Sequence, residues 1–193
     1  MAYRNGTYVA FDGQGQQNPI SSDFKYYGTI QAWSRHKHID FNYVDSHEKT
    51  WAVKDSSLRP TLEARIRERL SNSKNVIVIL SSDTRKLGSM LSYEIEQSVD
   101  KYNLPLIITY VDYRVIANPE SLFSYWPNAL SSRVNNNTAR AIHIPFYKDA
   151  LLDAISQFNI GNQPKTALNY YDEKTHRLFG CLPLLSSFSN LKK

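Results

Sequence analysis

Two near-continuous apolar runs, Asn75 to Leu80 (NVIVIL) and Pro105 to Val111 (PLIITYV), dominate the polarity pattern of the chain. Strands with one wet face alternate apolar and polar residues, whereas parallel strands covered on both faces do not. Both runs therefore predict buried parallel strands. Between them, Leu91, Ile95, Ser98 and Val99 recur at helical spacing, with polar residues on the other side. A parallel pair needs a crossover, and this helix supplies it. The intervening loop, Ser81 to Ser89, then lies at the carboxyl end of a strand, where open α/β sheets bind ligands. Glu94 stands just beyond it, in the first turns of the helix.

The remaining pattern repeats the alternation. Thr7 to Phe11 (TYVAF) predicts a first strand, followed by Asp12-Gly13-Gln14-Gly15 in a loop that lacks the third glycine of a dinucleotide fingerprint. Ser21 or Ser22 can cap a helix with Asp23 in its first turn and Phe24, Tyr27, Ile30 and Trp33 as its apolar stripe. That helix is expected to end around Arg35 to His38, where His36 and His38 are two apart and point to different faces. Ile39 to Val44 alternates, as an edge strand would. A long polar connection with His47, Trp51 and Lys54 leads to a helix opened by Pro60 and lined by Leu62, Ile66 and Leu70. After Asp112 the pattern loosens; a short helix near Glu120 to Tyr125 is expected, with loop up to Asn137. Ala139 to Ile144 predicts a fifth strand, with His143 in the core or at the edge, and Tyr147 to Phe158 a last helix. Five strands alternating with helices fit an α/β, flavodoxin-like three-layer sandwich with a central, mostly parallel five-stranded sheet. Residues 1–160 would form this domain, and 161–193 an irregular extension packing on the domain or on a partner.

Composition narrows the chemistry. The chain has 193 residues, 41% of them hydrophobic, enough for one domain with a real core. No run is long enough to cross a membrane, and the start lacks the apolar segment of a secretory signal, so a cytoplasmic protein is expected. A single cysteine, Cys181, excludes an internal disulfide framework and a cysteine-built metal site, and is expected to be a small buried apolar residue. Net charge is +5, which raises nucleic-acid binding, but Glu63 and Glu68 interrupt the arginines of the Pro60 helix in the manner of a solvated face. A modest positive field equally suits an anionic nucleotide. No nucleic-acid partner and no metal is expected.

Ser89-Met90-Leu91-Ser92-Tyr93-Glu94-Ile95, after a third strand ending in Ser81-Ser82, resembles the Ser-x-Trp-Val-x-x-Glu-Ile helix of Toll/interleukin-1 receptor (TIR) domains. The first strand and helix, YVAFD and then Asp23-Phe24 with Trp33 further on, are similar to the TIR-like ThsB proteins of bacterial Thoeris antiphage systems. The resemblance spans Tyr8 to Phe158. Met90 departs from it, standing where the family usually has Trp.

What the resemblance implies is specific. Catalytic TIR domains cleave the nicotinamide–ribose bond of NAD, and Glu94 occupies the place of their essential glutamate. NAD+ would be the substrate, with no resident cofactor, and the product a cyclic ADP-ribose isomer that activates a partner effector protein. Self-association is a further expected interaction. Phe11, Asp12, Asp45, Ser89 and Tyr93 are the residues expected to hold NAD. Each also has a structural alternative: core packing for Phe11 and Tyr93, turns for Asp12 and Asp45, a helix cap for Ser89. By spacing alone, Glu94 would be an exposed helix carboxylate. Glu96, two residues on and pointing away, is its natural control. Two other readings stay open: a non-catalytic TIR-like adaptor acting by self-association, and a nucleoside deoxyribosyltransferase-like enzyme, which shares the layout and a catalytic glutamate.

Overall fold

A computed structural model describes residues 4–14, 22–35, 43–44 and 59–183 of the chain. The apolar runs form the centre of one parallel sheet. In chain order the described elements are β1 (Gly6–Ala10), α1 (Phe24–Ser34), β2 (Tyr43–Val44), α2 (Arg59–Ser71), β3 (Ser73–Leu80) and α3 (Met90–Glu96). They continue as β4 (Leu106–Tyr110), a 3-10 helix over Pro119–Tyr125, α4 (Asn128–Asn135), β5 (Ala141–Pro145), α5 (Lys148–Gln157), β6 (Asn169–Tyr170) and α6 (Glu173–Leu178). The strand order is β2-β1-β3-β4-β5-β6, and each pairing is parallel. This is the flavodoxin-like order, with its reversal between β1 and β3. The expected mostly parallel five-stranded sheet is thus wholly parallel in its described pairings, with a two-residue sixth strand added beside β5.

Period-two alternation sorts the strand side chains into two cores. Tyr8 and Ala10, Val76 and Val78, Leu106 and Ile108 face α2, α3 and α4. Val9, Ile77, Ile79, Ile107, Ile142 and Ile144 face α1 and α5. Helices therefore cover both faces, which is why the central strands read as unbroken apolar runs. Burying each of these Val and Ile side chains contributes roughly 1.5–3 kcal/mol.

Two expectations are corrected here. The region between Tyr125 and Asn137, expected as loop, holds α4, whose buried face (Ala129, Leu130, Ser131, Val134) is too small and mixed to stand out. The stretch from Gly161, expected to be irregular, supplies β6 and α6. Asp172 caps α6 by accepting from the Thr175 amide at 2.7 Å, and Gly180 ends it at φ +73°, a conformation that favours glycine. This stretch packs on the domain: the Tyr171 hydroxyl donates to Asp153 on α5, and the buried His176 receives the Ile116 amide at 3.4 Å. The crossover helix forms as expected, with Leu91, Ile95, Ser98 and Val99 buried, and past Glu96 it widens to π geometry over Gln97–Lys101. The expected strand Ile39–Val44 is described over Tyr43–Val44 alone, and His36, His38, His47, Trp51 and Lys54 lie outside the described residues. No described helix is long and apolar enough to cross a membrane.

A buried polar chain ties the sheet's far side together. Trp126 Nε1 donates to the Tyr110 hydroxyl at 2.7 Å, and that hydroxyl meets His143 Nδ1 at 2.8 Å. His143 Nε2 lies 2.9 Å from the Ala167 carbonyl. The carbonyl can only accept, so Nε2 carries the proton and Nδ1 accepts from Tyr110. His143 is a core histidine, wholly buried, and burial pushes its pKa down to about 4. Cys181 is likewise buried, and burial pushes its thiol pKa up.

Candidate active site

The sheet reverses its strand order between β1 and β3, and the loops leaving these two strands lie at the carboxyl ends, where open α/β sheets bind ligands. Asp12 lies on the first loop, and residues 81–89 form the second. Gly88 at φ +78° turns that second loop into α3, and Ser89 follows in extended backbone as the N-cap residue. Leu91 and Ile95 are fully buried against the sheet and fix the helix. That rotation carries Glu94 inward rather than to solvent.

Glu94 is 5% exposed, so the expectation of a solvent-facing carboxylate, drawn from spacing alone, is overturned. Its Oε1 accepts from the Tyr8 hydroxyl of β1 at 2.5 Å. Its Oε2 is buried and has no hydrogen-bond partner among the described residues. Burial pushes the carboxyl pKa up to about 8, against the Tyr8 hydrogen bond, which lowers it; Asp12 nearby adds to the rise and Arg69 opposes it. Behind it, Ser98 Oγ donates back to the Glu94 carbonyl at 2.6 Å, just where the helix widens.

Asp12 is the opposite case. Its Oδ1 accepts from the Gln14 amide at 2.9 Å and from Arg85 Nη2 at 2.7 Å; its Oδ2 accepts from the Arg85 amide at 3.0 Å and Arg85 Nε at 2.9 Å. Burial alone would raise its pKa, but these bonds outweigh burial and hold it below the ordinary carboxylate value. Four hydrogen bonds keep Asp12 ionised, while one leaves Glu94 protonated at neutral pH. Two neighbouring carboxyls shifted in opposite directions make this corner of the fold the candidate functional site. Asp12 thus clasps the loops after β1 and β3 together. Asp12→Ala should accelerate hydrogen exchange at the Arg85 amide at least about tenfold, read by amide NMR; unchanged protection would show that the loops are held otherwise.

The other expected residues are distributed unevenly. Phe11 packs in the α1-side core, stacked on Tyr27 at 5.3 Å and edge-on to Phe24 at 5.5 Å, so its ring lies on the sheet face away from Glu94. Ser89 is buried, with its hydroxyl unpartnered among the described residues and no side-chain cap formed. Tyr93 is half-buried and its hydroxyl accepts from Arg67 of α2 at 2.6 Å. Asp45 lies outside the described residues. Glu96, the control, has its carboxylate half exposed beside Arg133, 4.0 Å away. Met90 is half-buried on the core beneath α3. Tyr8 was not anticipated. Its signal is a phenol inside a strand covered on both faces, whose hydroxyl must find a partner. Asp23 is also buried, accepting from Thr84 Oγ1 at 3.3 Å; burial raises its pKa despite hydrogen bonds from Ser81 and Thr84.

A separate surface cavity of about 310 Å³ is lined by Lys86, Phe123, Ser124, Trp126, Asn128 and Ser131. There the Lys86 ammonium donates to the Ser124 and Trp126 carbonyls. Glu94, Tyr8 and Asp12 do not line it. No group of three or more metal-binding side chains occurs among the described residues.

A flavodoxin-ordered parallel sheet with a buried glutamate on the helix after β3 is the layout expected of a TIR-like domain, and one that nucleoside deoxyribosyltransferase-like enzymes share. More narrowly, residues 8–115, over half of the chain, match the family model of the TIR-like domain of the Thoeris protein ThsB, and the chain belongs to that antiphage-defence family. The matched stretch runs from Tyr8 past β4, and includes Asp12, Arg85, Ser89 and Glu94.

Proposed function

We propose that this chain consumes NAD+: it breaks the nicotinamide–ribose bond at Glu94 and makes a cyclic ADP-ribose isomer that activates a partner effector. The observation that carries this reading is Glu94 itself, buried near the carboxyl ends of β1 and β3, with one oxygen held and the other without a partner among the described residues. Family membership supports the same reaction class.

The chemistry asks little of the protein. As the C1′–N bond breaks, its electron pair passes to the nicotinamide ring, which leaves neutral and needs no proton. The ribosyl fragment becomes an oxocarbenium-like cation, which an adjacent carboxylate stabilises in the manner of glycosidases. Attack by water gives ADP-ribose and a proton. Attack by an internal hydroxyl or adenine nitrogen, with loss of a proton, gives a cyclic product. Exclusion of water favours the second route. Oε2 is sealed from solvent, so productive binding requires its cover to shift; self-association or an infection trigger could supply that shift.

The remaining surface fits a small nucleotide better than a nucleic acid. On α2, Arg59 and Arg67 are drawn to Glu63, and Arg67 also donates to Tyr93. We take the sheet and its helices, including the stretch after Gly161 that adds β6, as one catalytic unit, working in the cytoplasm without a resident cofactor, with Ser89 and Asp45 as further substrate contacts. Asp12 serves by holding the loop.

The test is release of nicotinamide from NAD+ across a pH range. Glu94 must be ionised to act, and its pKa lies at about 8. In the free enzyme kcat/KM should therefore rise about tenfold per pH unit and level off above pH 8. The positive nicotinamide ring favours the ionised carboxyl once bound, so the limb in kcat should lie at lower pH. A kcat/KM independent of pH between 6 and 9 would remove the Glu94 carboxylate from the rate law.

A further inference from the structure

We propose that Tyr8 is a positioning residue for Glu94: its hydroxyl pins Oε1 and leaves Oε2 as the oxygen that meets the substrate. This rests on the reading of Glu94 as the catalytic group. The argument begins with the position. Tyr8 lies on β1, 1% exposed, in an apolar core where phenylalanine would fill the same space. Burying a hydroxyl is unfavourable unless it is hydrogen-bonded. Its hydrogen-bond partner is Glu94 Oε1, at 2.5 Å and 86 positions away in sequence. The phenol's oxygen thus serves the glutamate.

Two rigid elements then set the carboxyl group from opposite ends. Leu91 and Ile95 lock α3 on the sheet and fix the Glu94 backbone. Tyr8, held in the central strand pairing of β1 with β3, fixes the far end of the side chain. A carboxylate bonded through one oxygen keeps the other for the developing cation, without rotation between the two. The side chains that act on its charge are Tyr8 of β1, Asp12 of the loop after β1 and Arg69 of α2, in the senses given above.

Tyr8→Phe tests this, because it removes one oxygen and retains the ring. The expected result is a loss in kcat of about ten- to a hundredfold with KM little changed. The acid limb of kcat/KM should also move to higher pH, because the bond that favours ionised Glu94 is gone. A purely structural tyrosine would not move that limb. A second measurement needs no substrate: carboxyl carbon NMR of ¹³C-glutamate-labelled protein, with Glu94→Gln assigning the signal. Titration of Glu94 at higher pH in Tyr8→Phe supports the proposal. An unchanged titration with unchanged kcat overturns it. If the wild type releases no nicotinamide, the NAD reading fails, yet the NMR titration still decides whether Tyr8 governs Glu94. If Tyr8→Phe does not fold, adding Glu94→Leu should restore folding, since removing both partners of a buried bond costs little; a double variant no more stable would overturn the pairing.

Discussion

Glu94→Gln is expected to lose at least about a thousandfold in nicotinamide release while keeping its fold. The amide has the carboxylate's shape, and its oxygen can still accept from Tyr8, but it carries no charge for the oxocarbenium. Glu96→Gln, two residues away and half exposed, should act as wild type. The same substitution has a second signature, in stability. Glu94 has an ordinary pKa near 4.5 unfolded and about 8 folded. Between these values the folded state binds the extra proton, so stability falls as pH rises from 4.5 to 8. The term is on the order of a few kcal/mol and disappears in the variant. Urea midpoints at a series of pH values will read it. A variant that keeps both its activity and the wild-type pH slope would show that Glu94 is neither catalytic nor buried as described.

The second large effect is expected at His143. His143→Leu leaves the Tyr110 hydroxyl proton and the Ala167 carbonyl without their partners in a fully buried place. Each orphaned group costs about 1–3 kcal/mol, so a loss of about 2–5 kcal/mol is expected at neutral pH. A loss below about 1 kcal/mol would contradict the polar chain. The histidine's pH term has the opposite sign to that of Glu94. Its pKa is about 4 folded against 6.5 unfolded, so the unfolded state binds the extra proton and stability is lost as pH falls from 6.5 toward 4. In the wild type the two terms oppose each other between pH 4.5 and 6.5, and from 6.5 to 8 the Glu94 term stands alone. Each single variant should unmask the other's slope.

The legible parts of this molecule are those where one segment contains its own explanation. NVIVIL and PLIITYV announce strands covered on both faces, and Leu91 and Ile95 announce the face of α3 that meets them. The helix rotation that buries Glu94 follows from the same two residues. What lay beyond local reading is what distant segments supply. Arg85, 73 positions on, turns Asp12 from an open carboxylate into a clasp. Tyr8 meets Glu94 only because β1 and β3 pair, and no periodicity in either segment records that contact. Helix α4 was hidden between Pro127 and three asparagines, with a serine on its buried face. Tyr8, Tyr110 and His143 share one overlooked signal: a polar tip inside an apolar strand implies a partner elsewhere.

The most direct test compares small molecules from phage-infected cells carrying the wild type or Glu94→Gln, by mass spectrometry. The account predicts a new species in the wild type alone, with the mass of NAD less nicotinamide for a cyclic product, or that plus one water for a linear one. Phage protection intact in both, with no NAD-derived species in either, would contradict it and leave an adaptor that acts by self-association.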